Sequence, residues 1–442
     1  MRMSTIGAFD PDHAWDGISS HLFDGFRPAE IMPRTLLGAY GGAYRSSDGR
    51  WRLTRDPLGI NKVFWATHAG ELFVAARPHR LVAHGVPFEN IFSLPRGALV
   101  DSGDGARGDD GSRTMARSGS PPRPLSDVPL VAASIRDRLD GYLDALRRDR
   151  AGHPVFVCLS GGIDSTGIAI LAREHIPDVT FASFDLRRSD SPPSEDRVVA
   201  RRIADDLGVP LLEIDVSIDE LFGRLDSVLI EGVDWRDFNV HAALVNSALA
   251  TGIRESIGAT TTALVLSGDL ANEFVADYAP ESVRGTVSYR LPSVPIGTLR
   301  RLLVNGLDTS HREVGIFAAE GLHLVQPSAV VVDEYMSLPD AFLELPDRKE
   351  RMVADITRGR IPGYVLERPK VRAQVGGLDG GVLGAFLDRG IDQAALRSRF
   401  AALHSTHPRT VDRFIRGGLY RSSTPSVGVT GPTTSKGISD AA

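Results

Sequence analysis

Ser160-Gly161-Gly162-Ile163-Asp164-Ser165 packs two hydroxyls, two adjacent glycines and a carboxylate into one short run. The glycines let backbone N–H groups face an anion, and the hydroxyls can donate further hydrogen bonds. An apolar run, Val155-Phe156-Val157-Cys158-Leu159, precedes this hexapeptide, and a helical pattern follows it. A glycine turn between a strand and a helix N-terminus is a phosphate cradle, because the helix end adds partial positive charge. The Asp164 carboxylate can hold Mg²⁺ beside that phosphate. The turn is not a Walker A loop: it lacks Gly-Lys-Ser/Thr, and no lysine occurs between 63 and 348. Lysine is scarce throughout. Only four of the 50 basic residues are lysine: Lys62, Lys349, Lys370 and Lys436. Lysine is therefore not this chain's surface filler, and Lys370, between Arg368-Pro369 and Gly376-Gly377, reads as a placed charge.

The hexapeptide needs a scaffold, and the pattern after residue 126 supplies one. An amphipathic helix over 128–150 carries Val131, Ile135, Leu139, Leu143 and Leu146 on one stripe. Apolar strand patterns over 155–159, 180–184, 211–216 and 263–266 alternate with helical patterns over Ile163–His175 and Glu195–Leu207. Residues 220–260 and 295–415 read as mostly helical. This alternation predicts an α/β fold, with a parallel sheet and helices on both faces. Before residue 102 the runs are short and β-like: 36–44, 51–55, 63–66, 71–76 and 99–100. His68-Ala69-Gly70 marks a hairpin. A small antiparallel β-rich domain over 1–101 is expected. Residues 102–126 are rich in Gly, Ser, Asp, Arg and Pro and read as a flexible linker or loop. The second domain then spans 127–420, and 421–442 reads as a disordered tail.

Composition excludes several classes. The chain has 442 residues, 42% hydrophobic and 24% charged, which suits an ordinary globular protein of two domains. A net charge of −6 gives no support for a nucleic-acid or anionic-membrane partner. The one cysteine, Cys158, cannot form an internal disulfide or build a thiolate metal site. No apolar signal region follows the N-terminus, and no uninterrupted apolar stretch is long enough to span a membrane. A cytoplasmic protein is the expectation.

Further motifs, in order, carry a family resemblance. Ser-Gly-Gly-Ile-Asp-Ser after a strand resembles the pyrophosphate loop of the ATP-pyrophosphatase superfamily. Ser194-Glu195-Asp196 is similar to the segment after that superfamily's second strand. The run 267–278, Ser-Gly-Asp-Leu-Ala-Asn-Glu-Phe-Val-Ala-Asp-Tyr, resembles the Ser-Gly-Glu-Gly-x-Asp-Glu-x-Phe-x-Gly-Tyr loop of asparagine synthetases. Gly321 to Pro327 looks like the stretch ending in that family's Pro-Phe-Leu-Asp. Arg368-Pro369-Lys370 resembles its lysine-containing loop. Arg55-Asp56-Pro57-Leu58-Gly59-Ile60 and Leu94-Pro95-Arg96-Gly97 resemble parts of its glutaminase domain. The asparagine synthetase branch includes β-lactam synthetases and the macrolactam cyclases of lasso peptides. The resemblance is clear over 155–375 and weaker over 36–101.

The resemblance implies an Ntn-hydrolase-like N-terminal domain and an adenine nucleotide α-hydrolase-like second domain. It implies ATP and Mg²⁺ as reactants of an amide synthetase: a substrate carboxylate attacks the α-phosphate of ATP, Mg-pyrophosphate leaves, and an amine then attacks the acyl-adenylate. Carried over by position, Leu159, Ser160, Gly161, Gly162, Asp164, Ser165, Ser183, Phe184, Ser267 and Gly268 would bind the nucleotide. Asp164 and Asn272 would hold the metal. Lys370 would stabilise charge in the amide-forming step. Asp269 stands where asparagine synthetases carry a glutamate and β-lactam synthetases a tyrosine, and Glu313 is a second candidate for handling the amine's proton.

Three departures sharpen this reading. A glutamine-using member begins its mature chain with a cysteine nucleophile; here the thiol is at 158, so no glutamine hydrolysis is expected. Asn272 replaces a metal-binding aspartate with a neutral oxygen, for which Asp269, Glu273 or Asp277 could compensate. Position 269 lacks tyrosine, which argues against a close β-lactam synthetase. The leading expectation is lactam or macrolactam closure within one substrate bearing a carboxylate and an amine, in a natural-product pathway that can include partner proteins. An ammonia-dependent asparagine synthetase is the nearest alternative. A catalytically inactive partner protein keeping the fold is the alternative of a different class.

Overall fold

The computed structural model describes residues 3–5, 41–45, 51–69, 71–101, 113–114, 127–150, 152–187, 192–369, 371–376 and 378–413. Its centre is a five-stranded sheet ordered Leu211–Ser217, Thr180–Arg187, Val155–Cys158, Leu264–Leu266, His323–Val325. Every adjacent pair is parallel. The strands read as continuous apolar runs because both faces are covered. Side chains alternate between the faces. Val155, Val157, Leu264 and Leu266 pack with the helices Val128–Asp149, Ile163–His175 and Arg348–Ile356. Phe156, Ala182 and Val265 pack with the helix Asp237–Ile257 on the other side. Each fully buried Leu or Val here contributes roughly 1.5–3 kcal/mol of transfer free energy, which makes the sheet a stiff base for the loops at its carboxyl edge.

The α/β reading holds, and the helices Ile163–His175 and Glu195–Leu207 fall where the periodicity puts them. Ser194 caps the second of these by accepting from the Arg197 N–H, and Gly208 closes it with φ 60. The fifth strand, His323–Val325, lies inside the stretch read as helical. Three residues are too few to show a period, and partnership with Leu264–Leu266 makes them a strand.

The N-terminal residues form two four-stranded sheets. One orders Gly41–Arg45, Trp51–Arg55, Ala98–Asp101 and Arg113–Thr114, all antiparallel. The other orders Met3–Thr5, Glu71–Ala75, Phe64–His68 and Phe92–Ser93. Met3–Thr5 runs parallel to its neighbour, unlike the all-antiparallel expectation. Arg113–Thr114 pairs with Ala98 and Leu99, so this part of the expected linker belongs to a sheet. The remainder of 102–126 and all of the expected tail lie outside the described residues. Phe64, Phe73, Leu81 and Phe88 share a core with Trp235, Phe317 and Phe400, so the N-terminal sheets pack directly on the α/β unit. No helix among the described residues is long and apolar enough to cross a membrane.

Candidate active site

Strand order reverses at Val155–Cys158: the chain continues to Thr180–Arg187 on one side and returns as Leu264–Leu266 on the other. Loops leaving the carboxyl ends at such a point diverge and open a crevice. Residues 159–165 and 267–273 are these two loops. They touch at Gly268, where an added Cβ would lie 2.6 Å from Ser165 N and 2.8 Å from Asp164 C. Only glycine permits that backbone approach. The crevice is a cavity of about 260 Å³, open to solvent and lined by both loops.

Of the residues expected to bind nucleotide, Leu159, Ser160, Gly161, Gly162, Asp164, Ser165, Phe184, Ser267 and Gly268 line this cavity. Ser183 does not line it; its side chain is buried behind the strand, with a hydroxyl lacking a partner among the described residues. Gly161 has φ 71, and Gly162 begins the helix without a side-chain cap. The helix N-terminus is thus left open to a ligand anion. Ser165 Oγ donates to Gly162 O at 3.0 Å and accepts from Ser160 N at 3.2 Å, which ties the turn together.

The loop's cation is one the motif reading passed over. Lys349, 3% exposed on the helix Arg348–Ile356, places Nζ 2.8 Å from Asp164 Oδ2 and 3.0 Å from Asn272 Oδ1. Asp277 Oδ2 is 3.1 Å away. Burial alone would lower the Lys349 pKa, but the Asp164 and Asp277 carboxylates outweigh it and hold it above the ordinary lysine value. The ammonium is permanently charged beside the phosphate cradle. Asp277 also answers the question raised by Asn272. The family loop carries glycine at 277, and here a carboxylate at that position reaches the same cation that Asn272 touches. Glu273 turns elsewhere, accepting from Tyr278 Oη.

Asp164 and Asn272 therefore converge, with an ammonium between them. Asp164 Oδ1 is buried without a hydrogen-bond partner among the described residues. One carboxylate oxygen of this kind fits Mg²⁺, which commonly takes one or two carboxylates and completes its shell with phosphate oxygens and water. Leu270 has φ 81 where the family loop has glycine. A buried leucine held in that region stores backbone strain of about 1–2 kcal/mol next to the cavity.

A cluster of charges faces the loops from the far wall. Glu313 is ion-paired to its neighbour Arg312, which also donates to Asn239 Oδ1 at 2.9 Å and lies 3.8 Å from Glu273. Burial pushes the Glu313 carboxyl up to about 7; Arg312 opposes the rise, and the charges of Asp269 and Glu273 add to it. Asp269, Glu273, Arg312 and Glu313 all line the main cavity. The two base candidates named from sequence thus face one space. Asn239 and His241 sit within the first turns of Asp237–Ile257 and do not cap it.

Lys370 lies outside the described residues. Its neighbours Pro369 and Val371 line the cavity. Arg368 is ion-paired with Asp196, and its Nη1 stands 3.2 Å from where a Cβ on Gly161 would be. Cys158 is partly buried at the end of its strand, and burial pushes its thiol well above the usual range. It is no candidate nucleophile.

An α/β nucleotide-binding unit with a glycine loop at the switch point is the class that fold and site define. Residues 136–323 match the family model described as asparagine synthase. The chain is similar to the structure of NMN synthetase from Francisella tularensis: 13% identity, 62% of this chain and 93% of that chain covered, TM-score 0.30. It is also similar to the NH3-dependent NAD synthetase from Campylobacter jejuni subsp. jejuni in complex with the nitrate ion: 17% identity, 35% and 62% covered, TM-score 0.23. No curated protein matches. The matched stretch takes in the phosphate loop, the loop 267–273 and the Arg312–Glu313 pair. Lys349 and Lys370 fall outside the matched stretch.

Proposed function

We propose that the chain is an AMP- and pyrophosphate-forming amide synthetase that adenylates a substrate carboxylate and passes the acyl group to an amine. The observation that carries this reading is one cavity holding both halves of the chemistry. The open helix N-terminus at Gly162 and the buried Lys349 ammonium stand on one side, and the Glu313 carboxyl with Asp269 on the other. The loop N–H groups and Lys349 bind the β- and γ-phosphates and hold them as a leaving group. Asp164 would hold Mg²⁺, which would add charge neutralisation on the pyrophosphate. Glu313, or Asp269 beside it, takes the proton from the attacking amine. Lys370 stabilises charge at the amide-forming step.

The cavity reaches from the phosphate loop to the helix Asp237–Ile257. Phe238, Ala242, Val245 and Phe317 give it an apolar wall. Such a wall suits a substrate with a hydrocarbon body, as in lactam or macrolactam closure, better than free aspartate. Carboxylate-dependent exchange of labelled pyrophosphate into ATP tests the adenylation step without needing the amine. Exchange driven by an apolar amino acid or a peptide supports the proposal. Exchange driven by aspartate, with asparagine formed on adding ammonium, would replace it with an asparagine synthetase.

A further inference from the structure

Arg312 and Glu313 sit on an irregular stretch, 307–313, between the helices Ile296–Gly306 and Val314–Ala319. A loop that must hold a buried carboxyl at one place needs its own backbone and side chains pinned. Its anchors come from the end of the strand Trp51–Arg55 and from the connections that follow the N-terminal strands. Arg55, 1% exposed, donates from Nη2 to Asp308 O at 3.0 Å and pairs with the Asp308 carboxylate at 2.7 Å. Lys62, also 1% exposed, donates from Nζ to Leu307 O at 2.8 Å. Its backbone N–H donates to His311 Nε2 at 2.6 Å, two residues before Glu313. Arg77 donates to Gly315 O at 2.7 Å. Gly59 lies so close that a Cβ there would meet Asp308 Oδ1 at 2.6 Å.

The motif 55–60 resembles part of a glutaminase domain, yet its arginine points into this loop, and the chain's one thiol is at 158. We infer that Arg55 and Lys62 are positioning residues for Glu313, and that the N-terminal sheets serve as the clamp setting loop 307–313 against the reaction cavity. The inference rests on the proposed role of Glu313 for its kinetic consequence, but not for the clamp itself. Charged neighbours of Glu313 are Arg312, Asp269, Glu273 and Lys62. Removing the Lys62 Nζ donor frees the Leu307 carbonyl and loosens the loop without touching the phosphate loop.

The test uses the full chain with Lys62→Met and, as a milder change, Arg55→Lys. Hydrogen–deuterium exchange in 305–315 is expected to rise at least about tenfold in Lys62→Met, with 163–175 unchanged. Turnover to amide is expected to fall by about tenfold or more while the KM for ATP moves less than about twofold. Arg55→Lys gives the same split at smaller size. Should Lys62→Met not fold, Arg96→Ala removes the exposed bond to Asn305 and is expected to raise exchange in the same segment. A folded variant with 305–315 exchanging as in the wild type overturns the clamp, as does an equal rise along the whole chain. If the wild-type protein turns over no ATP, the functional reading fails on its own, and the exchange result still decides the clamp.

Discussion

Lys349→Met is expected to lower pyrophosphate–ATP exchange by about 10²–10³-fold, the usual loss when one preorganised group facing a developing anion is removed. Lys349 is 3% exposed and bonded to Asp164, Asn272 and Asp277, so its position is set before any ligand arrives. A long flexible cation at the surface would spend that entropy on binding. The single variant also leaves the Asp164 carboxylate without its cation and Asp277 with Arg348 alone. Breaking a buried pair in this way costs about 3–5 kcal/mol of stability. Lys349→Met combined with Asp277→Asn removes one charge from each side and separates the two effects. The double variant is expected to regain much of the thermal stability and none of the exchange activity. Wild-type exchange in the double variant would remove Lys349 from the mechanism.

Glu313→Gln is expected to cost about 10²–10⁴-fold in amide formation while leaving pyrophosphate–ATP exchange near the wild-type rate. The carboxyl must be ionised to take a proton from the amine, and its pKa is held at about 7. Below that pH the protonated form accumulates, so wild-type amide formation rises with pH through about 7 and then levels. The exchange half-reaction, in which no amine takes part, lacks this step. The glutamine variant lacks it too. A pH step of unchanged position in Glu313→Gln assigns the base to another group, with Asp269 the next to substitute. The same raised pKa has a consequence for stability. The fold favours the protonated carboxyl, so this contribution is complete below the ordinary carboxylate range and is lost as pH rises through about 7.

The phosphate loop was legible because its signals are local: an apolar strand, two glycines and a helical period within about twenty residues. The same holds for the helices Ile163–His175 and Glu195–Leu207. What was not legible depends on partners distant in sequence. Lys349 stands in a run of four charged residues, Asp347-Arg348-Lys349-Glu350, yet it is buried against Asp164, 185 residues away. The scarcity of lysine pointed to Lys349 as much as to Lys370; what was missing was a recognised motif around it. Arg55 was singled out for its motif, but its bond to Asp308 spans 253 residues. Of the three carboxylates the sequence offers to offset Asn272, the one that shares its cation is Asp277, a choice set by the position of Lys349. His323–Val325 is too short to carry a pattern and is a strand only because Leu264–Leu266 pairs with it.

Calorimetric titration with α,β-methylene-ATP and Mg²⁺, compared with AMP, tests the central claim most directly, because it needs no knowledge of the carboxylate or the amine. The account predicts saturable binding of the triphosphate analogue, competition by pyrophosphate, and AMP at least about tenfold weaker, since the loop at 160–165 and Lys349 engage the terminal phosphates. Absence of binding heat with the analogue, or equal affinity for AMP, would contradict it and favour a chain that keeps the fold without the reaction.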